Sequence, residues 1–196
     1  MSERRRSLSE RIAAAVREEI AVVPYAPEWP RRFEEESERL RARLPGGLLG
    51  RIEHFGSTAV PGLAAKPIVD MLVEVSSLEA ARREIVPLLE ADGYDYFWRP
   101  LFDVDEPPYY AWFIRRDAAG RRTHHIHMVE AQFEHWDRLL FRYYLIEHPE
   151  VAHEYGALKM RLAATHHGDR VAYTKAKTEF VVAVTDRAKR HYASAG

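Results

Sequence analysis

An α+β domain, with a mixed β-sheet covered by helices, is predicted by three features of the sequence. Short runs rich in aromatic and β-branched residues fill the middle of the chain. Two of them, "YYAWFIRR" and "THHIHMVE", are joined by "DAAG" and read as an antiparallel hairpin. From Phe133 onward the apolar period becomes helical, so strands come first and helices afterwards.

Taken in order, Ser7 and Glu10 form a capping box, and Leu8, Ile12, Ala15, Val16 and Ile20 recur at helical spacing. Residues 1–21 are therefore expected to form an amphipathic N-terminal helix that packs on the main body or on a partner, with residues 22–196 forming one domain. Three prolines in "VVPYAPEWP" end that pattern. A second helix follows through "RRFEEESERLRARL" and stops at Pro45-Gly46-Gly47, its Glu/Arg mixture reading as a solvated face. Strands are expected at "LGRIEHFG" and "PIVDMLVEV", then a helix through "SLEAARREIVPLLEADG" with Gly93 as its stop. "YDYFW" is a further strand before the hairpin. Three helices, over about 133–147, 150–166 and 170–192, complete the C-terminal segment and need the sheet to bury their apolar faces.

Composition narrows the function classes. The 196 residues are 46% hydrophobic and 30% charged, as in a globular protein with an ordinary core. The formal net charge is −1, so no overall field attracts nucleic acid or an acidic membrane, and no basic, aromatic-interleaved patch points to DNA. With no cysteine, disulfides, thiolate metal sites and a cysteine nucleophile are excluded. The charged start lacks the apolar core of a secretion signal, and no apolar run approaches a membrane span, so a cytoplasmic location is expected. HExxH, GxSxG and Walker spacings are absent.

Candidate chemistry gathers in three stretches. Along "PIVDMLVEV", alternation puts Val69, Met71, Val73 and Val75 on an apolar face and turns Asp70 to the other. A carboxylate in a sheet needs a cation, a metal or several donors; the plainer alternatives are a cap on the preceding turn or a pair with Lys66. In "THHIHMVE", Ile126 and Met128 share the core side with His124, leaving His125 and His127 on the opposite side. At i and i+2 these imidazoles lie about 7 Å apart at the backbone, close enough to converge on one ion or phosphate. The third stretch, "GSTAVPGLAAK", offers turn N–H groups and hydroxyls at Gly56, Ser57 and Thr58, with Lys66 adding charge for an anion. Lys177, one turn after Tyr173 and one before Phe180, reaches inward beside aromatic rings or snorkels to solvent. His166-His167 reads as a helix cap.

The stretches "VVPYAPEWPRRF", "IEHFGSTAVPGLAAKPIVDMLVEV", "THHIHMVE", "FRYYLIEHPEVAHEYGALKMRLA" and "YTKAKTEFV" resemble the GrpB family, a group related to the nucleotidyltransferase superfamily of DNA polymerase β type. The resemblance covers about residues 22–185. It implies a nucleotidyltransferase-like mixed sheet, a Gly-Ser turn that holds phosphates, and a following strand with carboxylates at i and i+2 that grip divalent ions such as Mg2+ or Mn2+. Gly56, Ser57 and Asp70 fit, whereas the second carboxylate position is Leu72. Glu74 lies about 13 Å further along an extended strand and does not replace it. The third carboxylate of the superfamily comes from a later strand, where His125 or His127 stands here.

Three readings follow. One is a metal-dependent enzyme acting on a nucleotide or other phosphate-bearing small molecule, with Asp70, His127 and His125 as metal ligands and Ser57 and Lys66 holding phosphate. The second is a non-catalytic binding protein that retains the phosphate cradle. The third is a metal-dependent hydrolase or ligase of a non-nucleotide substrate on the same fold.

Overall fold

The computed structural model describes residues 20–101 and 106–194. The helix expected over residues 1–21 lies, apart from its last two positions, outside the described residues. The segment after it crosses the surface with Val23 bridged to Ala65 and Trp29 fully buried against Tyr25.

Helix α1 (Trp29–Arg43) leads through a short 3-10 turn into β1 (Leu49–Phe55). A second 3-10 turn, Ser57–Ala59, and an irregular loop precede β2 (Val69–Val75). Helix α2 runs on through Leu78–Ala80, a π turn at Ala81–Ile85, and Val86–Ala91. Ser77 caps its start and Gly93, at φ +87°, turns the chain after its end. Strands β3 (Asp95–Pro100), β4 (Tyr109–Arg116) and β5 (Arg122–Val129) follow, then α3 (Arg138–Glu147), α4 (Pro149–Thr165), α5 (Arg170–Ala176) and α6 (Thr178–Ala193).

The five strands form one sheet in the order β1-β2-β5-β4-β3. Among the described strands only β2 and β5 run parallel; the other neighbours are antiparallel, so the sheet is mixed as expected. One face carries Val69, Met71, Val73, Phe113, Ile126 and Met128 and is covered by α1 and α2 through Leu40, Ile85 and Leu89. The other carries Phe55, Leu72, Trp112, Ile114 and Val129 and meets Leu139 of α3. A separate cluster joins Val60 and Leu63 of the β1–β2 loop to Leu145, Tyr155 and Val184, so the C-terminal helices grip that loop. No described helix is long and apolar enough to cross a membrane.

Two expectations need correction. The third C-terminal helix is two helices that meet at Lys177, where φ −98° and ψ −4° turn the chain. Tyr173 is buried in the first of the two helices, and Val184 and Ala188 are buried in the second. The Glu/Arg mixture of α1 is also not uniformly solvated. Glu36 is wholly buried, accepting hydrogen bonds from the Tyr94 hydroxyl and from Arg115 Nη1. A buried carboxylate held by a phenol and a guanidinium is compensated, and neither partner is legible from the helical spacing of α1.

Candidate functional site

The parallel pairing of β2 with β5 sets Asp70 opposite His125 and Leu72 opposite His127. Paired residues share a face, so these four, with Phe55 of β1 and Ile114 and Trp112 of β4, lie on the side that meets the C-terminal helices. Asp70 Oδ1 accepts a hydrogen bond from His125 Nδ1 at 2.9 Å, and the other ring nitrogen of His125 is 3.3 Å from Arg122 Nη1. One ligand atom from each of Asp70, His125 and His127 lies within 4.8 Å of the other two. His127 is enclosed by Phe55, edge-on at 5.2 Å, and Tyr110, stacked at 5.5 Å. Its Nδ1 is buried with no hydrogen-bond partner among the described residues.

The charge states suit cation binding. Burial works to raise the Asp70 pKa, but the hydrogen bond and electrostatic pull of His125, with the charges of Lys66 and Lys177, outweigh it and hold the carboxyl below its ordinary value. Burial pushes His125 down to about 4 against the pull of Asp70, and pushes His127 well below its ordinary value. At neutral pH the trio is one carboxylate and two neutral imidazoles. With the His125 proton on Nδ1 its lone pair lies on Nε2 beside Arg122, so ligation by His125 requires it to leave that contact or to give up the Nδ1 proton.

The β1–β2 turn wraps this group closely. Gly56 adopts φ +74° and ψ −169°, a region essentially reserved for glycine, and a Cβ there would sit 2.7 Å from Asp70 Oδ2. The glycine of the Gly-Ser turn is thus required by the approach of the backbone to the aspartate. Ser57 hydrogen-bonds the Tyr155 hydroxyl of α4. Thr58, expected to face phosphate, does not: its hydroxyl is buried, donating to the Ile68 carbonyl at 3.3 Å and lying 3.0 Å from His54 Nε2. Thr58 anchors the turn to the body of the protein.

Two lysines stand near the group. Lys66 Nζ lies 5.3 Å and Lys177 Nζ 5.0 Å from the Tyr173 ring centre, so α5 brings both to one place although they are far apart in the chain. Burial, followed by Lys177 and Arg170, lowers the Lys66 pKa strongly; burial also lowers Lys177, opposed by Asp70 and reinforced by Arg170. Lys177 was ambiguous between an inward and a snorkelling pose, and the inward pose is the observed one.

Several neighbours were not anticipated. Lys159, 2% exposed, donates to the Ala64 carbonyl and lies over the Tyr155 ring; burial, then Lys177, lowers it to about 7. Arg138 is coupled electrostatically to Asp70, and Arg170 to both Lys66 and Lys177. The signal for Tyr155 and Lys159 was their i, i+4 spacing in "EYGALKM", which puts both on one helical face. The arginines carry no such mark, because an arginine on an amphipathic helix usually faces solvent.

Residues 19–187 match the GrpB protein family. The chain is 36% identical over 172 residues to UPF0157 protein YqkA of Bacillus subtilis, spanning 87% of this chain and 48% of that one. It is 40% identical over 177 residues to UPF0157 protein PA4798 of Pseudomonas aeruginosa, spanning 86% and 67%. The chain thus covers only about half the length of YqkA and two thirds of PA4798. A protein of Mycolicibacterium paratuberculosis named dephospho-CoA kinase is 31% identical over 177 residues, 81% of this chain and 43% of that protein. Among solved structures, the conserved protein GrpB from Enterococcus faecalis superposes with a TM-score of 0.76 at 34% identity, covering 88% of this chain and 99% of that one. By sequence match and by shared fold alike, the chain belongs to the GrpB protein family.

Proposed function

We propose that this chain binds a nucleotide or another phosphate-bearing small molecule together with a divalent cation, and acts on it as a nucleotidyltransferase-like enzyme. The observation that carries the reading is the meeting of two opposite kinds of group at the Gly56–Ser57 turn. Asp70, His125 and His127 bring ligand atoms within 4.8 Å of one another, while Lys66 and Lys177 press their charge on the same aspartate. The first set attracts a cation and the second an anion. A metal–phosphate complex satisfies both, whereas either ion alone leaves the other set uncompensated.

The donor set fits a divalent ion: the carboxyl is ionised, the imidazoles are neutral, and His127 Nδ1 has no other partner among the described residues. Two imidazole donors favour a transition ion over Mg2+, which prefers oxygen ligands, so of the two expected ions Mn2+ suits the site better. When bound, such an ion supplies charge neutralisation and polarisation at a phosphoryl oxygen. Lys66, Lys177 and the Ser57 hydroxyl would hold the phosphate. Tyr155 positions Ser57, and Lys159, lowered by burial to about 7, is close enough to feel the charges of Lys177 and Asp70. An arriving phosphate stabilises the ammonium forms of these lysines, so binding should take up protons. The dephospho-CoA kinase name of a relative, matched over 43% of its length, is in keeping with a phosphate-bearing substrate.

One observation favours a second reading, a binding protein without catalysis. Leu72 occupies the second-carboxylate position and is wholly buried, so that position offers no metal ligand.

Thermal melting of the parent protein with and without Mn2+, crossed with ATP, GTP, CTP and UTP, tests the proposal. The expected result is stabilisation by a nucleotide that requires Mn2+ and is lost in Lys177→Ala and His127→Ala, with pyrophosphate released as the nucleotidyl group passes to water or to an added hydroxyl acceptor. Stabilisation without turnover selects the binding reading. No nucleotide effect with Mn2+ present removes the nucleotide from both readings and leaves another phosphate-bearing ligand or a metal-dependent hydrolase or ligase of a non-nucleotide substrate.

A further inference from the structure

We infer that Glu147, His148 and His191 form a second metal site, separate from the Asp70 group and built for a transition-metal dication of the Zn2+ type. Glu147 ends α3, His148 is the junction residue before α4, and His191 lies in the last turn of α6. One ligand atom of each lies within 4.8 Å of the other two, and Glu147 Oε2 is 3.6 Å from His191 Nε2. Tetrahedral coordination with metal–ligand bonds of roughly 2.0–2.1 Å sets ligand atoms about 3.3 Å apart. One pair is already near that spacing, and the third ligand atom lies within 4.8 Å of both.

The local sequence explains how His148 is presented. Pro149 opens α4 as its first residue, and His148 at φ −122° and ψ 77° leaves the helical path, so the break between α3 and α4 falls on the imidazole. Its ring stacks on Tyr144 at 4.0 Å between centres, and the His191 ring stands edge-on to it at 5.6 Å. The rings are therefore held before any ion arrives.

An exposed Glu–His pair alone would be an ordinary surface contact of little consequence. His148 sets this cluster apart. Its Nδ1 lies 3.3 Å from Glu150 Oε1, and that carboxylate favours the tautomer with the proton on Nδ1. The lone pair is then on Nε2, which is buried and has no hydrogen-bond partner among the described residues. Carboxylate, imidazole and metal in sequence is the arrangement that orients histidine ligands in zinc sites. Two nitrogen donors disfavour Mg2+ and Ca2+ and fit Zn2+, Co2+ or Ni2+. Glu147 and His191 are about half exposed, which leaves the fourth position to water or to a donor from outside. Such an ion ties the end of α6 to the α3–α4 junction, within the helical layer that grips Val60 and Leu63 of the phosphate-facing loop.

The test uses the full chain without an affinity tag. Parent, His191→Ala, Glu150→Gln and Asp70→Asn proteins are loaded with Zn2+, dialysed and assayed for bound metal and for melting temperature. His191→Ala is expected to hold one equivalent fewer than the parent and to lose the corresponding Zn2+-dependent rise in melting temperature, while its metal-free melting matches the parent. Asp70→Asn should retain the equivalent that His191→Ala loses, which separates this site from the Asp70 group. Glu150→Gln should bind at this site about 10- to 100-fold more weakly. His191→Ala and Glu150→Gln proteins that bind as many equivalents as the parent with the same affinity would overturn the inference.

Discussion

His125 Nδ1 donates to Asp70 Oδ1 at 2.9 Å across the single parallel strand pair of the sheet, although 55 positions separate the two residues in the chain. The parallel register fixes this contact: a slip of one residue in either strand would turn one of the pair to the opposite face. The nearby charges of Lys66 and Lys177 also favour the ionised aspartate. Asp70→Asn keeps an acceptor for His125 and loses the charge. We expect a stability loss of about 1–2 kcal/mol, as for a weakened charge-assisted hydrogen bond, with Mn2+ affinity falling at least roughly tenfold. Denaturant titration and Mn2+ calorimetry measure the two effects; an unchanged affinity would take Asp70 out of the metal site.

Gly56→Ala tests the close approach of the turn. The backbone conformation strains any L-residue by about 1–3 kcal/mol, and the added methyl would lie 2.7 Å from Asp70 Oδ2. Reduced melting temperature together with weakened Mn2+ binding is the expected result. A variant as stable as the parent would mean that the turn is looser than the structure describes.

Met71→Ala probes the opposite face of the same strand. Met71 is wholly buried between β2 and the α1–α2 layer, and truncation of such a side chain costs about 2–5 kcal/mol. A change of urea midpoint with Mn2+ binding preserved is expected. A neutral substitution would contradict the face assignment of β2.

Glu36→Ala removes a fully buried carboxylate and strands its partners, Tyr94 and Arg115. Breaking a buried ion pair in this way costs about 3–5 kcal/mol, measurable as a drop in urea midpoint. A loss below about 1 kcal/mol would show that the network contributes little.

Acid sensitivity follows from buried neutral histidines. Burial, against the pull of Asp70, lowers His54 to about 4, and burial with Arg138 and Arg99 lowers His135 to about 2. Both folded-state values lie below the unfolded value of about 6.5, so the unfolded chain takes up protons first as the pH falls. Their contribution is complete above about pH 6.5 and is lost on acidification, through about 4 for His54 and about 2 for His135. Each imidazole adds a slope of about 1.4 kcal/mol per pH unit within its window. Urea midpoints at pH 7.5, 6.0 and 5.0 should fall steeply below pH 6.5, and a flat profile would sink this account.

Most strands, the hairpin at Asp117–Gly120 and the two faces of β2 were legible because each depends on alternation and turn chemistry within a few residues. The break at Lys177 was not, since the apolar helical period continues across it. Glu36 was misread for a related reason: an acidic residue in a charged helix is exposed unless a distant strand supplies its counterion, and Arg115 comes from β4. Thr58 looked like a phosphate ligand beside Ser57, yet the tight 3-10 turn sends neighbouring side chains in different directions, and its hydroxyl went inward to Ile68 and His54.

Local pattern alone determined that this protein is an α+β domain with a Gly-Ser turn, an acid placed off the apolar face of its strand and a pair of imidazoles placed likewise on a later one. Periodicity fixes which side of an element a residue faces, and needs no partner to do so. The tertiary structure decided that these side chains share one face of one sheet, and that Lys159, Tyr155 and the arginines of the C-terminal helices close around them. Strand order, parallel register and helix docking are set by contacts between residues far apart in the chain, which no local period encodes.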